Sequence, residues 1–247
     1  MERKIDSRLI LWKKSRNRMP LIVQGARQVG KTYSIAEFGR KHFANMLYLN
    51  FESNGELARI FDRDLNPGRI IRELSVLTGE PVTEEKTLIF FDEVQTCSRA
   101  LTSLKYFCED APGYYVIAAG SLLGVSINRD NSSYPVGKID TLNLYPLDFE
   151  EFLWEVKGRE ASGLIRESFN GFTKCSLHET FNDLYRTFLY TGGMPQVVKE
   201  YNSAGDTPML DSVKKSIHNA YIADMARYAD KTEADRKSTR LNSSHSL

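Results

Sequence analysis

The chain has 247 residues, 41% of them hydrophobic and 26% charged, with a formal net charge of +1. That length buries one sizeable core, or one core with a small helical addition, and the near-zero charge gives the whole chain no electrostatic pull towards nucleic acid or membrane. No run approaches the roughly 20 apolar residues of a membrane span, and the N-terminus lacks the apolar stretch of a signal peptide. Cys97, Cys108 and Cys175 show no ligand spacing, and His42, His178 and His218 are scattered. The expected setting is therefore cytoplasmic and reducing, with no membrane and no transition-metal site.

Residues 1–18 form the first predicted element. Ile5, Leu9 and Trp12 recur at helical spacing, and Arg3, Lys4, Arg8, Lys13, Lys14, Arg16 and Arg18 outnumber Glu2 and Asp6, which makes a basic amphipathic helix. Such a face either meets phosphate or nucleic acid, or is a solvated face beside the rest of the fold; the second reading is preferred. Leu21–Gln24 is a short apolar strand ending at Gly25, followed by a helix over 32–43 and a strand over 46–51. Asn66-Pro67 pairs a capping side chain with proline at the first helical position and opens a helix to about Thr78. Residues 88–91 are apolar enough for a strand buried on both faces. Ser98 caps a helix through 109, and 114–119 is the next buried strand, ending at Gly120-Ser121.

Residues 124–137 are rich in Asn, Ser, Gly and Asp and read as a loop, with a strand over 139–145 after it. Pro146 breaks the chain. Asp148 with Glu151 makes a capping box for a helix carrying Phe149, Phe152, Leu153 and Val156; Phe149, Phe152 and Trp154 are read as core. From there the pattern is helical only. Ser176 with Glu179 opens a helix that stops at Gly192-Gly193, Met194-Pro195 restarts the chain, and a last helix runs over about 208–228. Strands alternating with helices, then helices alone, predict an α/β fold. Together with the GxxxxGK[ST] match at Gly25–Thr32, the expected form is a P-loop NTPase parallel sheet with flanking helices, followed by a small all-helical lid. The expected division is an N-terminal helix over 1–18, a core over 19–146, and a lid with the start of a truncated C-terminal region over 147–235. Residues 236–247 lack periodicity and resemble translated sequencing adapter, so they are read as a non-native tail.

Gly25-Ala26-Arg27-Gln28-Val29-Gly30-Lys31-Thr32 matches GxxxxGK[ST] between a strand and a helix. Gly25 and Gly30 permit the backbone that turns successive N–H groups inward around phosphates, and the helix start adds its dipole. Lys31 is expected on the β- and γ-phosphates of ATP, and the Thr32 hydroxyl on Mg²⁺. About sixty residues on, the strand Leu88-Ile89-Phe90-Phe91 ends in Asp92-Glu93. Asp92 is the second expected Mg²⁺ group, and Glu93 the expected general base for an attacking water. Ser121, after the next buried strand, either orients that water or caps the following helix. Lys138, Arg129 and Arg27 are candidates for the cation that stabilises the transition state. No spacing decides between them.

Five blocks carry a resemblance. They are the 25–32 loop, Phe91-Asp92-Glu93-Val94-Gln95, Gly120-Ser121-Leu122-Leu123-Gly124, Tyr145-Pro146-Leu147-Asp148-Phe149-Glu150-Glu151-Phe152, and Tyr190-Thr191-Gly192-Gly193-Met194-Pro195. On these the chain resembles AAA+-type ATP-binding proteins of bacteria and archaea that join an ATPase core to a C-terminal domain of unknown function. The resemblance implies an ATPase using ATP and Mg²⁺, a helical lid, and Ser121 at the sensor position. It also allows a homo-oligomer or protein partner; DNA has no motif to support it. Many relatives have Gly-Arg where this chain has Gly137-Lys138, a departure that bears on an arginine-finger role there. The relatives' nuclease-like C-terminal domain is expected to be missing. Gly192-Gly193 reads as a lid hinge by analogy and as a plain helix C-cap otherwise. Hydrolysis that drives lid motion is the leading function, a nucleotide-dependent switch the alternative, and a small-molecule kinase the weakest.

Overall fold

The computed structural model describes residues 1–121, 135, 137–204 and 208–223. Most of the expected 124–137 loop, the Leu122-Leu123-Gly124 block, Arg129, the last helix beyond 223 and the 236–247 tail lie outside the described residues. In chain order the elements are α1 (Lys4–Lys14), β1 (Leu21–Gln24), α2 (Lys31–His42), β2 (Asn45–Asn50), α3 (Glu56–Arg63), α4 (Pro67–Thr78) and β3 (Thr87–Asp92). There follow α5 (Ser98–Asp110), β4 (Tyr115–Gly120), β5 (Asp140–Asn143), α6 (Phe149–Lys157), α7 (Arg159–Asn170), α8 (His178–Thr191) and α9 (Pro195–Ala204). Residues 208–223 are helical too. The chain divides into two compact units, Met1–Ser162 and Gly163–Leu247.

The first unit is a five-stranded sheet in the order β2-β3-β4-β1-β5, with every pairing parallel. This is the P-loop NTPase α/β architecture expected from the sequence. Because β1 hands the chain over β4 and β3 to β2, the carboxyl end of β1 opens into a crevice, where open α/β sheets bind ligands. β3 is buried at all six positions, as its uninterrupted apolar run requires of a central parallel strand. One face of the sheet packs on α3, α4 and α5 through Leu49, Phe61, Ile70, Leu74, Phe91, Leu104 and Phe107. Phe51, Phe61, Phe91 and Phe107 meet there edge to face, with ring centroids 5.6 to 6.1 Å apart, the preferred geometry for aromatic quadrupoles. α1 is anchored by Ile5, Leu9 and Trp12, and the Trp12 ring abuts Tyr115 at the start of β4.

Local chemistry sets several boundaries. Asn66 Oδ1 accepts the Arg69 N–H at 3.0 Å with Pro67 at the first helical position, so α4 starts as the sequence predicts. The Asp148–Glu151 capping box forms at α6. Two other caps do not. Cys97, not Ser98, is the N-cap of α5, and Leu177 is that of α8, neither with a side-chain cap bond. At α8 a backbone turn from Cys175 to His178 precedes the helix and takes the place given to Ser176 and Glu179. The short helix α3 has no counterpart among the predicted elements. In the second unit every described element is helical; Val197, Leu210 and Ile217 make one buried cluster in it, and Gly192 ends α8 at φ 72°.

Candidate active site

The 25–32 segment leaves the carboxyl end of β1 and re-enters regular structure at α2. Gln28 and Gly30 have φ of 63° and 94°, left-handed conformations that swing successive peptide units inward. Gly30 occupies the N-cap of α2, and the fully buried Val29 pins the loop to the core. Gly25 has no alternative: a Cβ there would lie 2.2 Å from the Leu144 carbonyl oxygen. The Lys31 ammonium donates to the carbonyls of Gly25 at 2.9 Å and Ala26 at 2.8 Å. Burial pushes its pKa below the ordinary lysine value, while the carboxylates of Glu93 and Asp92 pull the other way. The ammonium is thus held by two carbonyls, with two carboxylates near enough to favour its charged form.

The end of β3 supplies those carboxylates. Asp92, 2% exposed, accepts the Thr32 hydroxyl and the Tyr48 hydroxyl on Oδ2, each at 2.9 Å, and the Glu93 N–H on Oδ1 at 3.1 Å. Glu93 follows at φ 51°, a strained position for a residue with a side chain, and the Gln95 side-chain amide donates to its Oε2. β4 lies between β1 and β3, with Gly120 opposite Gln24, so Ser121 emerges between the loop and the acidic strand end. Its buried Oγ has no hydrogen-bond partner. The structure thus brings Lys31, Thr32, Asp92, Glu93 and Ser121 to one edge of the sheet. Tyr48 and Gln95 escape sequence reasoning because only strand register and a single turn of 3₁₀ helix bring them there.

Lys138 does not belong to this site. Asp140 pairs with Leu21 and Asn143 with Gln24, so Lys138 precedes the amino end of β5 while the loop leaves the other end, about 10 Å of strand away. There it pairs with Glu109 at 3.1 Å. Arg27 lies 3.9 Å from Glu52. The basic residues of 1–18 divide: Arg8, Lys14 and Arg16 are exposed, and the others find partners in the fold. Lys4 meets Asp148 and Glu150, Lys13 donates to the His42 carbonyl, and Arg18 stacks on Tyr115 while bonding the Pro112 carbonyl. Arg3 is buried against Glu151. Among the described residues no three His, Cys, Asp or Glu side chains gather as a metal cluster, and no helix is long and apolar enough to cross a membrane.

A protein-family model described as AAA domain matches residues 17–153. No curated protein matches the sequence. Among solved structures, a Walker-type ATPase of Pyrococcus abyssi is similar over 93% of this chain and 77% of its own, with 17% identity and a TM-score of 0.56. PCH-2 of C. elegans (14% identity, 86% and 66% covered, TM-score 0.46) and a Drosophila ORC bound to DNA (14%, 79% and 57%, 0.47) also match. At these identities the likeness is one of fold, and the archaeal protein carries it.

Proposed function

The chain belongs to the AAA domain family of AAA+-type P-loop ATPases, and from that premise we propose that it binds Mg-ATP in the 25–32 loop and hydrolyses it with Glu93 as general base. The observation that carries this reading is the 2.9 Å hydrogen bond from Thr32 Oγ1 to Asp92 Oδ2. It sets side by side the two groups assigned to Mg²⁺, one at the start of α2 and the other at the end of β3. One hydroxyl and one carboxylate suit Mg²⁺, which keeps several waters and takes its other ligands from phosphate. The orphaned Ser121 Oγ adds a polar group with nothing in the protein to bind. When bound, the ion would neutralise charge on the transferring phosphoryl oxygens.

The protein's own contribution follows from the residues. Loop N–H groups and the α2 N-terminus receive the phosphates, and Lys31 exchanges two carbonyls for phosphate oxygens, a charge-assisted and stronger contact. Glu93, its Oε2 held by Gln95, takes the proton of the attacking water, a role worth about 10²–10⁴-fold. Ser121 orients that water. Motion of the lid expected over 147–235 with nucleotide state, and a second copy or another protein as partner in the cytoplasm, complete the proposal.

The test is Mg-dependent ATP binding and steady-state turnover in the wild type, Lys31→Ala and Glu93→Gln. Lys31→Ala is expected to lose binding, and Glu93→Gln to bind without turnover. A wild type that binds no ATP removes the reading altogether. A second reading, a nucleotide-dependent switch with slow hydrolysis, draws support from Lys138, which stands at the wrong end of the sheet to act as the transition-state cation. If a neighbouring subunit supplies that cation, turnover per molecule rises with protein concentration.

A further inference from the structure

Arg3, at the very start of α1, enters the framework of the site where no motif marks it. Its side chain is 4% exposed, and all three guanidinium nitrogens are engaged. Nε donates to Glu151 Oε1 at 3.1 Å, Nη1 to the Val29 carbonyl at 2.9 Å, and Nη2 to the Tyr145 carbonyl at 2.7 Å. Glu151 is equally committed. Its Oε1 also accepts the Lys4 N–H at 2.7 Å, and its Oε2 the Asp148 N–H at 3.3 Å, closing the capping box of α6. One guanidinium therefore joins α1, the 25–32 loop, the β5–α6 connection and α6.

A buried ion pair is weak evidence for stability, because desolvation offsets the attraction and apolar residues of similar volume often serve as well. What arginine supplies and an apolar side chain cannot is direction: a planar fork that fixes several acceptors at once. The acceptor that matters is the Val29 carbonyl. The peptide unit is planar, and none among the described residues is cis, so fixing that carbonyl fixes the Gly30 N–H in the opposite direction. The Gly30 N–H opens the left-handed turn into α2, and the aim of such N–H groups is what makes the loop an anion cradle.

We propose that Arg3 is a positioning residue of the phosphate loop. It aims the Gly30 N–H through the Val29 carbonyl and, through Glu151 and Tyr145, couples the occupancy of the loop to α1 and α6. The identity of the anion rests on the Mg-ATP reading above; the orientation of the loop does not. Coupling is reciprocal, so a bound nucleotide protects the amides at the start of α6.

The test uses two variants. Arg3→Lys keeps a charge opposite Glu151 but cannot hold all three acceptors. Arg3→Met with Glu151→Leu removes both charges and keeps the volume. Amide hydrogen exchange is followed without nucleotide, and the Kd for Mg-ATP is measured separately. In both variants the amides of residues 29–32 should exchange faster while β3 keeps wild-type protection, and Kd should rise about tenfold or more, the scale of losing hydrogen bonds to a charged group. Wild-type exchange and wild-type affinity in both variants overturn the proposal. So does loss of β3 protection in both, which would make the pair a general structural support. Faster loop exchange in a protein whose wild type binds no ATP upholds the positioning role and removes the nucleotide reading.

Discussion

The phosphate loop and the Arg3–Glu151 pair adjoin each other, yet the chain encodes them in opposite ways. The loop is eight consecutive residues whose conformation follows from glycine, a buried valine and a helix start. The pair joins residues 148 positions apart and exists only once sheet, α1 and α6 have come together. A contiguous device repeats wherever its short sequence repeats; a distant one depends on everything folded between its ends. Damage to the loop, or a balanced replacement of the pair, should therefore read out first in ligand binding, and one-sided removal of the pair's carboxylate first in stability.

The largest effect is expected where the distant pair is broken on one side. Glu151→Ala leaves the Arg3 guanidinium buried without its counter-charge and strips the α6 capping box. Breaking a buried pair in this way costs about 3–5 kcal/mol, or about 10 °C in Tm for a chain of this size. Denaturant unfolding followed by tryptophan fluorescence measures it. A loss below about 1 kcal/mol would mean that Arg3 finds water, and the contrast between pair and loop would collapse.

Gly25→Ala sharpens the comparison, because the loop is not wholly self-contained. The added Cβ would stand 2.2 Å from the Leu144 carbonyl oxygen, and backbone cannot swing aside as a flexible side chain does. Leu144 is further held by its N–H, which donates to the Gln24 carbonyl at 2.7 Å. Overpacking of this kind costs about 1–3 kcal/mol, less than breaking the pair, but it displaces the loop itself. A fall in Mg-ATP affinity larger than the fall in stability is the expected pattern in paired titration and unfolding measurements. The reverse pattern would make Gly25 a packing residue first.

The same contrast explains what could be read from residues alone. The loop, the buried strand β3, the Asn66-Pro67 start of α4 and the Asp148–Glu151 box were legible because each is a short run whose chemistry is complete in itself. α3 was not: Leu57 and Phe61 are its only buried positions, one repeat of helical spacing and too little to establish a period. Ser98 and Ser176 carried cap-forming side chains, yet the backbone turns before their helices placed Cys97 and Leu177 at the N-caps. Arg3 counted as one more charge on a basic helix, since nothing near it in sequence marks a buried partner. Tyr48 reaches Asp92 only through the pairing of β2 with β3, and the orphaned Ser121 Oγ is a property of packing.

The smallest effect concerns the exposed neighbour of the buried pair. Lys4 Nζ approaches Asp148 Oδ2 at 2.5 Å, with the two side chains 44% and 53% exposed. Burial pushes the Asp148 carboxyl up, but the Lys4 ammonium and the Glu151 N–H outweigh it and hold the group below its ordinary value of 3.8. A carboxyl whose folded pKa lies below its unfolded one adds stability that is fully present above about pH 4 and is lost as pH falls through the folded value. Both partners face solvent, so the charge contribution should stay under about 1 kcal/mol and shrink with salt. Unfolding free energies of the wild type and Asp148→Asn between pH 6 and pH 2.5 decide it, because asparagine keeps the cap acceptor and removes only the charge. The difference between them should narrow towards the acid end. A difference that persists there belongs to cap geometry, and the dividing line between local and distant devices would then run through Asp148 itself.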